Sequence, residues 1–155
     1  MSSSDPTSTE IKHPLPLDQQ LCFALYSTSL AMTQLYKPLL EPLGLTYPQY
    51  LVMLILWEGD GLPLKDIGAR LGQKSGALTP VLKRLEEDDL VVRERDEKDE
   101  RALKIHLSEK GRALREAASG IGPCLIEATA MHLDELMDLR KTLVQLRGNL
   151  VDSQN

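Results

Sequence analysis

The chain has 155 residues, 42% of them hydrophobic and 26% charged, the size and balance of one domain able to bury a core. Its longest apolar run, YLVMLILW, falls well short of the roughly 20 residues that cross a bilayer, and the opening MSSSDPTSTEIKHPLP has neither a charged n-region nor an apolar h-region, so a cytoplasmic protein with no membrane partner is expected. A net charge of −5 argues against nonspecific affinity for a polyanion, and two cysteines without spaced histidines suit neither a disulfide framework nor a zinc site, so no metal and no cofactor is expected.

Residues 1–16, rich in Ser, Thr and Pro, read as a flexible tail, and 151–155 as a short second one. Between them, 17–150 reads as a single domain. Asp18 is a plausible N-cap for a helix running to about Tyr36 and ending near Pro38. On it Leu21, Leu25, Met32, Leu35 and Leu39 follow the helical period as a core stripe. Beside them runs a second, polar and reactive row of Cys22, Tyr26, Ser29, Thr33 and Tyr36. From their number alone, both cysteines read as small buried hydrophobes.

EPLGL breaks the chain, and Thr46 with Gln49 three residues on forms a capping-box pattern for a second helix whose first turn holds Tyr47. A short helix, LKDIGARL, the turn GQK and a third helix from Ser75 follow. On that third helix Leu78, Leu82 and Leu85 can face a core, which leaves Ser75, Thr79, Pro80 and Lys83 outward. Pro80 lies inside the helix, where it removes the bond to Gly76 and crowds that carbonyl; broken local rules of this kind gather at working surfaces.

Leu90 to Arg95 and Leu103 to Leu107 flank a charged tip and read as a hairpin. Helix, turn, helix and hairpin in this order are a winged helix-turn-helix. Charge supports a DNA-facing surface: from Lys65 to Arg84 the chain is +4, with Lys83 and Arg84 at the end, while the remainder is −9. The wing tip offers Arg93, Arg95, Lys98 and Arg101 among five acids, an arrangement in which a carboxylate such as Asp99 can pin an arginine in a set direction.

After SEKG comes a helix to about Ser119, then GIGP, then a last helix from about Cys124 to Leu150. Its Leu136, Leu139, Leu143, Leu146 and Leu150 recur at three and four residues, a seam that wants a partner helix. Packing within the chain would satisfy it, but a homodimer is the expectation, because the first and last helices both look too apolar to serve only as covers.

The run SGALTPVLKRLEEDDLVVRERDEKDERALKIHLSEKG resembles the recognition helix and wing of MarR-type repressors, in which LT, LKRLE, LV.R, DER and L...G recur at this spacing. LCFALYS, LYKPLLEPLGLTYPQYLVML and SGALTPVLKRLE narrow the resemblance to the organic-hydroperoxide-sensing members. It implies a mainly α fold with a small β-hairpin wing, a MarR-like homodimer on double-stranded DNA with a palindromic operator, and an organic hydroperoxide as effector. In this reading 17–40 and 110–150 are dimerisation helices and 64–107 is the winged helix-turn-helix. By motif position, Cys22 would be the peroxidatic thiol, hydrogen-bonded by Tyr36 and Tyr47, with Cys124 as resolving thiol. Arg101 would be the wing arginine that reads DNA, braced by Asp99. The family usually has Gly where this chain has Asp89, so the relaxed left-handed helix cap is expected to be lost and the turn into the wing to differ.

The resemblance makes a geometric demand. Cys22 and Tyr36 are 14 residues apart, roughly 21 Å along a straight helix, and cannot touch within it. An antiparallel second copy crossing near the small residue Ser29 would bring Cys22 of one chain to Tyr36 of the other. Tyrosine hydroxyls would favour the thiolate there, and Phe23 with nearby leucines would suit an alkyl or acyl hydroperoxide. Two other functions fit parts of the pattern: a repressor answering to a noncovalent phenolic ligand, and a thiol peroxidase. The helix-turn-helix argues against an enzyme.

Overall fold

In a computed structural model of the chain, the described residues are 13–95, 97–98 and 103–155, so Asp99 and Arg101 lie outside them. The chain divides into two compact units, Met1–Gln34 and Leu35–Asn155, with the boundary inside α1 (Leu21–Leu40).

In the first unit a single 3-10 turn, Leu17–Gln19, precedes α1. Asp18 lies in that turn and is not the N-cap; Gln20 is the residue whose carbonyl accepts the first helical bond, from Ala24 at 3.1 Å. The expected core stripe is not buried here: Leu21 is 60% and Met32 39% exposed. At its other end α1 runs through Pro38 to Leu40 rather than stopping before the proline. A proline in the last turn removes one hydrogen bond, to Gln34, while burial of Leu40 and packing of Leu39 hold that turn on the core.

The second unit is built on one core. α2 (Tyr47–Glu58) opens with the expected capping box: the Gln49 amide donates to the Thr46 hydroxyl, and the Thr46 amide to the Gln49 side chain at 2.9 Å. It buries Val52, Met53 and Leu56 against Ile67 of α3 (Leu64–Leu71) and Leu78, Leu82 and Leu85 of α4 (Ser75–Glu87). The hairpin β2 (Val91–Arg95) and β3 (Leu103–Leu107) adds Val91, Ile105 and Leu107. A two-residue strand, β1 (Leu62–Pro63), pairs with β3 and makes the sheet order β1-β3-β2, all antiparallel. Pro63 has no amide to give, so it suits only such an edge.

α4 ends in a left-handed cap after all. Asp89 takes φ 59, with its amide donating to Glu86 and the Leu90 amide to Leu85 at 2.9 Å, the paired bonds of a Schellman motif. The Ser108 hydroxyl donates to the Asp89 carbonyl at 2.5 Å and Lys110 to the Asp88 carbonyl at 3.0 Å, which satisfies the end of the helix. A left-handed cap is thus formed without a glycine, at the steric cost of a Cβ in this region. Asp89→Gly should raise the stability by about 1 kcal/mol, read as a higher urea midpoint at unchanged slope.

α5 (Glu109–Ala118) is capped by Ser108, whose hydroxyl accepts from the Gly111 amide at 3.0 Å. The expected single last helix is two: α6 (Ile121–Thr129) and α7 (Leu133–Asp152). The break is at Ala130, which is left-handed at φ 53, and His132 then starts α7. Cys124 therefore lies within α6 instead of opening the last helix, and Pro123 occupies its first turn, where a missing amide costs nothing. α7 has no buried residue. Among the described residues no single helix is long and apolar enough to cross a membrane.

Candidate functional site

The sharp α3–α4 turn depends on two glycines. Gly72 closes α3 in the left-handed region at φ 67, and a Cβ on Gly68 would stand 2.6 Å from the Gln73 carbonyl oxygen. With Leu78, Leu82 and Leu85 buried, the opposite side of α4 exposes Thr79, Pro80, Lys83 and Arg84, with Ser75 half-buried at its start. Pro80 is inside α4, and the Thr79 hydroxyl donates to the Ser75 carbonyl at 3.2 Å.

The cations divide into struts and exposed groups. Arg93 is not held out from the wing: its guanidinium is bidentate on Glu86, at 2.7 and 3.0 Å, and ties β2 to α4. These hydrogen bonds hold the Glu86 carboxyl below the usual carboxylate range. Arg70 is likewise paired with Glu58, so one of the five cations counted between Lys65 and Arg84 is engaged inside the unit. Lys83, Arg84 and Arg95 are exposed and form no ion pair with another described residue.

Cys22 is in the first turn of α1 and Cys124 in α6; both are free thiols and both exposed, which overturns their reading as buried hydrophobes. With Cys22 in the first unit are Phe23, half-buried, and Tyr26, 65% exposed. The second unit brings Tyr36 and Tyr47 together, ring centroids 4.6 Å apart. Two aromatics that sequence reasoning passed over complete this group: Tyr50 lies 5.7 Å from Tyr36 and 6.3 Å, edge-on, from Trp57. The only sequence signal for them is their spacing of seven on one helix.

Burial, and then the neighbouring phenols of Tyr47 and Tyr50, push Tyr36 up to about 12. Its hydroxyl remains a hydrogen-bond donor at every physiological pH. Because the folded value lies above the ordinary 10, the associated stability is complete below pH 10 and is lost as pH rises through about 12. An ultraviolet tyrosinate titration should show a late-ionising component that Tyr36→Phe removes.

Comparison with known proteins gives a consistent result. The family model for the transcriptional regulator SarA/Rot matches residues 34–117. The organic hydroperoxide resistance transcriptional regulator of Bacillus subtilis is 44% identical over 136 residues, covering 88% of this chain and 92% of that protein. The HTH-type transcriptional regulator TtmR of Methylorubrum extorquens is 47% identical over 137 residues, covering 88% of this chain and 70% of that one. Among solved structures, AbfR of Staphylococcus epidermidis is 40% identical with a TM-score of 0.74, covering 88% of this chain and 94% of that one. AbfR has also been solved reduced and bound to DNA, at a TM-score of 0.73 with 38% identity, and in a disulfide form, at 0.64 with 40%.

Proposed function

The chain belongs to the MarR-like winged-helix transcriptional regulators of the SarA/Rot family, and from that premise we propose that it is a DNA-binding repressor which senses organic hydroperoxides through Cys22 and leaves its operator when that thiol is oxidised. The observation that carries the reading is the exposed, unpaired Cys22 thiol on α1, in a chain so similar to an organic hydroperoxide resistance regulator.

The DNA side rests on α4 and the wing. Ser75, Thr79, Pro80, Lys83 and Arg84 would enter a major groove, with Arg95, Arg101 and its brace Asp99 at the backbone or minor groove of a palindromic operator. The helix-turn-helix with its wing would be 64–107, and 17–40 with 110–150 would form the dimer. Exposed Leu21, Leu30 and Met32 on α1, and Leu139, Leu143, Val144, Leu150 and Val151 on α7, support a second copy as the cover. An antiparallel crossing of two α1 helices would set Cys22 of one chain against Tyr36 and Tyr47 of the partner subunit, with Tyr26 and Phe23 lining the pocket.

The chemistry follows from that placement. The Cys22 thiolate attacks the terminal peroxide oxygen, the O–O bond breaks, and the alkoxide leaves as the alcohol after taking a proton. Cys22 becomes a sulfenic acid. The Cys124 thiol then attacks its sulfur, forming the disulfide and releasing water, and cellular thiols reverse the step. Such a protein works in the cytoplasm and turns over once per reduction, unlike a peroxidase.

Gel mobility shift of an operator fragment tests the function: cumene hydroperoxide should release the DNA and a thiol reductant should restore binding. Release that leaves both thiols free would replace the sensor with a noncovalent ligand-responsive repressor. On a nonreducing denaturing gel the oxidised protein should run as a covalent dimer. Cys124→Ser should stay monomeric and carry Cys22 on to the sulfinic acid; a wild-type monomer with a free Cys124 thiol would remove it from the mechanism.

A further inference from the structure

We infer that Trp57 and Asp60, at the C-terminal end of α2 and just beyond it, are positioning residues that transmit the state of the tyrosine cluster to the root of the wing. This rests on the sensor reading above.

α2 has 12 residues, a rod about 18 Å long. One end lies in the tyrosine cluster: Tyr47 is 4.6 Å from Tyr36 between ring centroids, and Tyr50 5.7 Å from it. The row of rings continues from Tyr50 to Trp57 at 6.3 Å. The other end grips the hairpin and α5 by directional bonds. The Trp57 indole N–H donates to the Gly111 carbonyl at 2.8 Å. Asp60 Oδ2 accepts from the Leu107 amide at 2.8 Å and from the Arg112 guanidinium at 2.9 Å. The Gly61 amide donates to the Ile105 carbonyl at 2.7 Å. These partners all lie in β3 or the first turn of α5, so they are the root from which the wing extends.

Apolar contacts let one element slide on another; hydrogen bonds of this kind do not. Trp57 is buried and the Asp60 side chain only 19% exposed, so water substitutes poorly for the Gly111 and Leu107 partners, whereas the bond to Arg112, whose side chain is 60% exposed, is the weaker member of the set. A displacement of α2 must therefore either break the set or carry β3 and α5 with it. Oxidation of a Cys22 thiol seated against the tyrosine cluster in the dimer proposed above would move α2, and the joint would turn that movement into a reorientation of the wing. Packed units respond to small shifts in this two-state manner.

A merely architectural joint and a transmitting one differ in a measurable way. Loss of the first weakens operator binding equally in reduced and oxidised protein. Loss of the second compresses the ratio between them. Operator affinity should be measured by DNA anisotropy on full-length wild type, Trp57→Phe and Asp60→Asn, reduced and after cumene hydroperoxide, with free thiols counted in the same samples. Both variants should consume Cys22 as the wild type does, while the affinity ratio falls to about threefold or less. Asp60→Asn keeps an oxygen for the Leu107 amide and guards against a tryptophan variant that does not fold. Trp57 is also the sole tryptophan, so wild-type emission should shift on oxidation in the absence of DNA. A full wild-type ratio in folded variants, or release without an emission change, would overturn the inference. Wild type that keeps both its thiols and its DNA would remove the sensor reading along with it.

Discussion

Cys22→Ser should bind the operator as the reduced wild type does and stay bound in organic hydroperoxide, a response ratio of about 1 where the wild type shows about 5- to 150-fold, the usual span of allosteric coupling. Serine nearly keeps the volume of the thiol but is a very poor nucleophile at neutral pH. The exposed first turn of α1 makes the exchange structurally mild, so lost DNA binding would be as damaging to the reading as retained release. The measurement is a pair of titrations with and without cumene hydroperoxide. If the variant leaves the DNA as the wild type does, Cys22 is not the sensor.

Gly111→Ala should be the most damaging change in the described core. A Cβ there would stand 2.2 Å from the Leu90 carbonyl oxygen and 3.2 Å from its carbon, both backbone atoms with no rotamer to yield. The Gly111 amide is held by Ser108 and its carbonyl by Trp57, so α5 cannot withdraw without loosening both. Overpacking of this kind costs about 3 kcal/mol, a large share of the roughly 5–15 kcal/mol that holds a domain folded. Urea unfolding followed by circular dichroism should show a midpoint far below that of the wild type. Wild-type stability would mean that Leu90 and α5 separate more easily than their packing implies.

Gly111 is the last residue of the L...G pattern that carried part of the family resemblance, and the close approach to Leu90 explains it. Other features were legible for similarly local reasons. The Thr46 and Gln49 capping box and the buried face of α4 each depend on residues a few positions apart. The rest depends on distant partners or on conformation that composition does not express. Asp60 meets groups 47 and 52 residues away, and nothing near it in sequence announces them. Tyr50 and Trp57 escaped notice because α2 is apolar on all sides and so has no single face to read. Ala130 is the best of helix formers, yet it breaks the last helix by turning left-handed. β1 has two residues, one a proline, too short for any period. Of the candidate site, Tyr36 and Tyr47 were singled out as partners of Cys22 through the resemblance and not through spacing, and their contact with each other was not foreseen.

The break at Ala130 also gives α6 a separate thermodynamic life. Nine residues, bounded by Gly120 on one side and a left-handed alanine on the other, are too few to persist as a helix in water. Only Ile121 is buried, with Leu125 packed against the core beside it. Opening α6 therefore exposes little apolar surface and leaves α5 and α7 with their own hydrogen bonds. Its amides should exchange with deuterium ahead of those in the middle of α4, through sub-global excursions rather than whole-chain unfolding. Cys124, already exposed on α6, would then sit on a segment that opens without the rest of the fold, so its backbone surroundings should be freer to rearrange than those of a residue on α4.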